Sequence, residues 1–508
     1  NDAFRLAVAN TVRFILVCIP LLLVTSLIFA LLIRKILPKG EKLQTACLLP
    51  MAIPVASISL LWKALFTQNG ILNNLLSFWG VPEISFLDSS AAFGVLVGTY
   101  LWRNIGYDMI LWLAGLDAIP ASMYEAAEVD GANSWQIFWK ITLPNLPSTM
   151  GLITILSILN TFKVYREAYL VAGNYPDDSI YLLQHLFNNW YVNLEFDKMA
   201  AASVCVPCAA SGNSAIFENV AGGFRVKKRK KAVRLPYLVL VPFAASVCLV
   251  IWMIFSGALM STDEATQSLG GIFDGTSAVH WPLIPNSPTL QPLIEVLLDT
   301  PEFFVMFWNT CILTFPQLIG QFLFASPAAW AFSRFTFRGR NLLFTIYTIL
   351  MLLPFQVLMV PDYLVLDRLG LMDTVWSIIL PGAVSTFPVF IMKKGFDGIP
   401  VSVLEAAELD GAGAITTYIR IGLPLGIPGI LSALLLSFIE AWNAIEQPLV
   451  FLKSQNLWPM SLFLANITQD DIGIAMVASV FMLLPVILIF LFGQRYLILG
   501  IQSSGVKE

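Results

Sequence analysis

An all-α, polytopic membrane protein built from two repeated helical halves is the fold class this sequence predicts, and three observations predict it. Hydrophobic residues fill 57% of the 508 positions and charged residues only 12%, with a mean hydropathy of +0.76, far from the composition of a soluble domain. Apolar runs of about 20 residues, the length a helix needs to cross roughly 30 Å of hydrocarbon, recur along the whole chain. One largely polar string also occurs twice, at 117–144 and again at 397–424. The spans are helices because a segment in lipid must satisfy its own backbone and the short alternating strands of a barrel are absent.

Taken in order, the first half (1–224) holds apolar helices near 10–33, 45–65, 91–115 and 144–163, with a poorer candidate near 199–222. Pro207, Asn213, Glu218 and Asn219 interrupt that last segment, and an acidic group near the bilayer centre costs about 2.5–3.5 kcal/mol. A tilted helix buried in protein, or a stretch joined from elsewhere, would account for it. The second half (225–508) holds helices near 235–257, 303–333, 342–364, 373–394, 424–446 and 474–498, for a total of about 10–11 spans.

Charge sets the orientation. Arg225, Lys227, Lys228, Arg229, Lys230, Lys231 and Arg234 precede a clean apolar helix, which places them in the cytoplasm. The next loop, about 258–302, carries Asp263, Glu264, Asp274, Glu295, Asp299 and Glu302 without a Lys or Arg, and should face outward. Alternation then puts Arg334, Arg338, Arg340 and the segment 395–423 inside. Working backward, 117–143 and the Arg34, Lys35, Lys39, Lys42 loop also fall inside, provided that 199–222 crosses. The net charge of −4 says little by comparison. No metal or redox centre is expected: the six cysteines are scattered, Cys205 and Cys208 form a lone CxxC, and His185 and His280 sit in predicted outer loops.

The two polar strings match in a fixed, gapless register, Glu125 against Glu405 and Gly131 against Gly411, and are identical at half of their 28 positions. They read DAIPASMYEAAEVDGANSWQIFWKITLP and DGIPVSVLEAAELDGAGAITTYIRIGLP. Ser122 and Ser402 stand three residues before Glu125 and Glu405, the spacing of a capping box, so a short helix should begin at each serine. Ala126, Ala127, Ala406 and Ala407 favour that helix, and Gly131 and Gly411 permit a turn that a Cβ would resist. A second short helix should run to Lys140 or Arg420, with Leu143-Pro144 and Leu423-Pro424 opening the next span. Capping and turning alone do not require so long a string twice.

Both strings resemble the EAA motif of binding-protein-dependent ABC importers: EAA, three residues, Gly, nine residues, I-x-L-P. The matching positions are Glu125, Ala126, Ala127, Gly131, Ile141, Leu143, Pro144 and Glu405, Ala406, Ala407, Gly411, Ile421, Leu423, Pro424. The segment IPVASISLLWKALFTQNGILNNLL resembles the first permease subunit of maltose-type carbohydrate importers. MLLPFQVLMVPDYLVLDRLGLMDT, AWNAIEQPLVFL and QRYLILGIQSSGVK resemble the second. The resemblance implies the type I importer transmembrane fold in the bacterial inner membrane, with both permease halves in one chain and the leading helix of the first subunit lacking. It also implies that the EAA units, with Asp130 and Asp410, couple to two cytoplasmic ATPase subunits, and that an outer solute-binding protein delivers cargo.

The chain has no GxxxxGK[ST] phosphate loop, so ATP and Mg are expected on the partner subunits, with no cofactor and no enzyme activity here. Polar and aromatic residues inside spans are the candidates for solute contact: Trp102, Arg103, Asn104, Tyr107, Asp108 and Trp112 on one helix, Glu440, Trp442, Asn443, Glu446 and Gln447 on another. Such a mixture suits stacking and hydrogen bonding to a sugar. Arg103 with Asp108 as a structural ion pair is the plainer reading. A secondary transporter, which also uses repeated halves, and an ABC importer of a non-sugar solute are the rival functions.

Overall fold

The structure is a computed structural model that describes residues 2–37, 40–161, 164–173, 175–193, 195, 197–199, 201–202, 234–274, 277–353, 355–465 and 471–503. Most of the predicted 199–222 span, with Cys205 and Cys208, and the basic residues from Arg225 to Lys231 lie outside the described residues. The described chain is helical, with one isolated bridge between Met260 and Pro288.

In the first half, α1 (Asp2–Ile36), the pair α2 (Glu41–Ala52) and α3 (Val55–Phe66), α4 (Ile71–Ser77) and α5 (Ala91–Asp117) lead to the first polar string. That string forms α6 (Ala121–Val129) and α7 (Ser134–Ile137), and α8 (Pro147–Thr161), α9 (Tyr165–Ala172) and α10 (Leu183–Val192) follow. The second half opens with α11 (Arg234–Gly257) and α12 (Pro301–Arg334), then α13 (Arg340–Leu352), α14 (Phe355–Arg368), α15 (Trp376–Ala383) and α16 (Thr386–Asp397). The second string forms α17 (Val401–Leu409) and α18 (Ala414–Thr417), followed by α19 (Leu423–Trp442), α20 (Glu446–Phe451) and α21 (Ile472–Ser503). Six helical stretches among the described residues are long and apolar enough to cross a membrane, and two bent pairs would raise the number to eight. The 27 residues of α5 would span about 40 Å at 1.5 Å per residue, though polar side chains dilute them.

Three spans predicted as continuous are broken. The 45–65 helix bends by 93° between α2 and α3, because Ile53 precedes Pro54 and is pushed into an extended conformation, ψ 128°. The 342–364 helix breaks in the same way, with Leu353 extended at ψ 125°. The 373–394 helix stops at Val384 and resumes after an extended Ser385. Pro388 lacks an N–H, and its ring opposes the carbonyl four residues back, at Val384. In the register that aligns the two strings, Asp108 stands in the first half where Pro388 stands in the second, and α5 runs through unbroken.

The halves interlock around one large apolar core. In it α1 packs on α5, α11 crosses over to α1 and α2, and α21 lies along α19 while reaching α2, α3 and α5. Each polar string is carried by two tightly crossed helices. A Cβ on Gly395 would stand 2.7 Å from the Cα of Gly429, and one on Gly115 would stand 2.2 Å from Oγ1 of Thr149. Those two crossings occupy equivalent positions in the repeat, and small residues there let the helices approach.

Candidate functional site: two repeated loops and a buried charge layer

The two strings share their helix limits from Ala121 to Thr142 and from Val401 to Gly422. Helices α6 and α17, then α7 and α18, then single π turns at Phe138–Thr142 and Tyr418–Gly422, coincide in the register of the repeat. Gly131 and Gly411 hold φ of 77° and 80° and close the first helix of each. Ala132 N–H donates to Ala127 C=O (2.9 Å) and Gly131 N–H to Glu128 C=O (3.2 Å), and Ala412 and Gly411 repeat both bonds. This is a Schellman cap, which satisfies the last carbonyls of the helix.

The predicted capping boxes at Ser122/Glu125 and Ser402/Glu405 do not form. Pro120 and Pro400 occupy the N-cap positions, with ψ of 133° and 136°, and the serines are the second residues of the helices, where the hydroxyl cannot take the N-cap role. A capping box does occur at the second helix of the first loop, where Asn133 Oδ1 accepts from Gln136 N–H and Gln136 Oε1 from Asn133 N–H, each at 2.9 Å. Gly413 stands in its place in the second loop and caps nothing. Leu423-Pro424 open α19 as expected, whereas Leu143-Pro144 form a short 3-10 turn and α8 starts at Pro147. Glu125, Asp130, Glu405 and Asp410 are all exposed, as are Ala126 and Ala406, while Ala127 and Ala407 turn inward.

Arginines at the ends of α1 and α12 tie the loops to the spans. Arg34 meets Asp117 at 3.7 Å and lies 5.5 Å over the ring of Tyr124. Arg334 donates to Phe396 C=O and, at 2.8 Å, to Ile399 C=O. Sequence reasoning used these arginines only for orientation.

The intramembrane candidates divide into packing and charge. Trp102 donates to Ser246 Oγ on α11 (3.1 Å) and stands edge-on to Trp62. Asn104 bonds its own helix at Tyr100 C=O, and Trp112 donates to Ser26 Oγ. Asp108 does not pair with Arg103: residues five apart on a helix point about 140° from one another. Instead Asp108 is buried and accepts from Ser157 Oγ of α8 at 3.1 Å, while Arg103 pairs with Glu167 of α9 at 2.9 Å. In the second half Trp442 is buried and donates to Met482 C=O, and Asn443 bonds Ile439 C=O. Glu446 is held by Arg166 at 2.7 Å, and the same guanidinium meets Glu440 at 2.6 Å.

Arg166 and the adjacent Glu167, passed over in sequence, therefore bring the two predicted clusters together. A break between apolar runs near 162–167 was the only signal that could have found them. Tyr107 lines a crevice between the halves with Leu111 and Leu156 on one side and Phe390, Lys394 and Leu436 on the other. Its volume of about 30 Å³ admits a single water, against the 300–1,000 Å³ typical of small-molecule pockets. His185, expected in an outer loop, lies buried on α10 between the rings of Tyr165 and Tyr181, because α10 packs against α1. His280 is on the surface.

Comparison with known proteins agrees with this architecture. The profile of the family described as "Binding-protein-dependent transport system inner membrane component" matches residues 7–184 and 321–502. The arabinooligosaccharides transport system permease protein AraQ of Halalkalibacterium halodurans is 27% identical over 287 residues, 55% of this chain and 99% of that protein. AraQ of Bacillus subtilis is 31% identical over 40% of this chain and 74% of its own length. The multiple sugar-binding transport system permease protein MsmG of Streptococcus mutans is 27% identical over 45% of this chain and 84% of its own. A crystal structure of a bacterial ABC transporter involved in the import of the acidic polysaccharide alginate aligns at 25% identity over 51% of this chain and 94% of that one, with a TM-score of 0.44. Matched in both of its halves, the chain belongs to the family of inner-membrane components of binding-protein-dependent transport systems.

Proposed function

We propose that this chain is the membrane permease of an ATP-driven importer for a sugar or oligosaccharide, moved by two separate ATPase subunits that grip the EAA units from the cytoplasm. The observation that carries the coupling is a matched pattern of exposed apolar side chains on the two loops. Val129 and Leu409 are 87% and 89% exposed, Trp135 and Ile415 69% and 75%, and Met123/Val403 and Trp139/Ile419 repeat the pattern at equivalent positions. The side chains differ while their places do not. Apolar surface displayed in this way calls for a covering partner, and its repetition calls for two equivalent ones. ATP and Mg would be bound by those partners, whose closure would rock one half against the other. The basic flanks of the spans support a cytoplasmic position for the loops. The relatives named for arabino-oligosaccharides and multiple sugars support a carbohydrate cargo.

Reconstitution of the full chain with its ATPase subunits and binding protein tests this directly. Arabino-oligosaccharides, malto-oligosaccharides and alginate oligosaccharides would be screened for stimulation of hydrolysis, with amino acids and dipeptides as controls. Stimulation by a carbohydrate class alone is expected. Stimulation by amino acids or dipeptides instead would overturn the cargo class, and uptake that follows an ion gradient without hydrolysis would overturn the importer reading. A cysteine at Asp130 or Asp410 should react with an impermeant thiol reagent only from the cytoplasmic face.

A further inference from the structure

The register that relates the two strings continues without a gap into the helices after them: Ser157 matches Ser437, and Arg166 matches Glu446. These two matched residues are also the ones that bind each other across the halves. A residue that meets its own repeat equivalent lies on the approximate two-fold relating the copies, as in any isologous contact. The crevice between the halves provides a second point on that axis. Its walls pair Leu111 with Ile391, Leu152 with Ser432 and Leu156 with Leu436, each couple again equivalent in the repeat. The crevice is walled by residues of α8 and α19, and the ion pair lies on the segments just beyond their C-terminal ends, so the axis follows these two spans, which is the direction a solute crosses.

We propose that Arg166, with Glu446 and Glu440, is a clasp on this axis: it closes the pathway between the halves and must part in each transport cycle. Two features make it a switch rather than a fixed weld. It bridges the halves, whereas Arg103–Glu167 stays within the first. And one guanidinium serves two carboxylates, Glu446 deeply packed and Glu440 partly open, so it can leave one before the other. The pair also specifies which halves assemble. A half meeting its own copy would set Arg against Arg or Glu against Glu on the axis, which costs what the mixed pairing gains. This inference rests on the importer reading for its cycle, but not for its geometry.

The test uses the full chain with ATPase subunits and binding protein in lipid nanodiscs. In a background freed of the six native cysteines, Arg166→Cys and Glu446→Cys are joined by a bifunctional thiol reagent about as long as the original pair. Both charges leave together, so neither is stranded. Bridging should lower binding-protein-stimulated ATP hydrolysis at least tenfold relative to the unbridged double variant, and hydrolysis at the unbridged rate would overturn the clasp. In parallel, R166E and E446R alone should each lower the melting temperature and raise basal hydrolysis several-fold, and the R166E/E446R exchange should recover most of both. Failure of the exchange to recover the melting temperature would overturn the axial contact without reference to transport. If the melting temperature recovers but the unbridged chain shows no coupled hydrolysis, the importer reading fails and the clasp, as a gate, fails with it.

Discussion

The loops and the membrane interior of this protein duplicate to different degrees. From Asp117 to Thr142 and from Asp397 to Gly422 the two copies share helix limits, a π turn, a Schellman cap and the places of exposed apolar side chains. A few residues away the likeness stops. Helix α5 runs unbroken through Arg103, Asn104 and Asp108, while its counterpart breaks at Val384–Ser385. Arg166 faces Glu446 rather than a second arginine. On the proposed reading, a surface that meets two like partners is held to one geometry, whereas a pathway for a single solute is free to differ between the halves, and a contact between repeat equivalents at its axis takes opposite charges.

The largest effect should come from breaking what the loops share. Proline cannot adopt the φ of 77° or 80° found at Gly131 and Gly411, and forcing such a site costs about 1–3 kcal/mol per loop. Gly131→Pro with Gly411→Pro should therefore lower uptake about tenfold or more, at about 1.4 kcal/mol per factor of ten, while ATP hydrolysis by the bound subunits continues. Uptake assayed beside hydrolysis in proteoliposomes separates the two.

The anchors should reveal the halves' inequality. Arg334 donates to two backbone carbonyls, and hydrogen bonds from a charged donor contribute about 1.5–3 kcal/mol each. Arg34 makes a longer, more exposed pair with Asp117, worth about 0.2–1 kcal/mol. Arg334→Ala should thus reduce uptake and thermal stability clearly more than Arg34→Ala, and equal effects would mean that the longer contact is compensated elsewhere.

Smaller still is the cap found only in the first loop. Asn133→Ala should destabilise α7 by about 1 kcal/mol, and Gly413→Asn should steady α18 by a few tenths, both read as amide exchange at residues 136 and 416. The smallest effect is a matter of pH. Asp373, a half-buried residue at φ 57°, accepts from the Ser454 hydroxyl and from the amides of Ser454 and Lys453. The Ser454 hydroxyl bond first, then the amide bonds, hold its carboxyl below the usual carboxylate range. The contribution of this contact is complete above the unfolded pKa and is lost as pH falls through the lower, folded value. Asn73 makes a similar but uncharged clamp on Ile84. Acid should release the amides of residues 453 and 454 while that of Ile84 stays protected.

What could be read from sequence follows the same division. The loops were legible because Gly and Pro punctuate polar sequence, and Gly131 and Gly411 sit at the positive-φ turns expected of them. Their N-terminal caps were misplaced by two residues, because a proline two places before each serine takes the cap position without offering a side-chain acceptor. The breaks at Ile53, Leu353 and Val384 were hidden, since apolar sequence continues through them and a proline in a span can equally kink a helix or end it. The charge layer was hidden for another reason. Arg103 had an acid nearby on its own helix and took its partner from α9 instead, a choice that only the packing of α5 against its neighbours decides.

Site-specific photo-crosslinking from Trp135 and from Ile415 to the ATPase subunits, in the assembled full chain, tests the central claim that two equivalent partners grip two equivalent loops. The account predicts that both positions capture an ATPase subunit, through the same surface of the partner and in similar yield. Capture from one loop only, or through different surfaces of the partner, would contradict it.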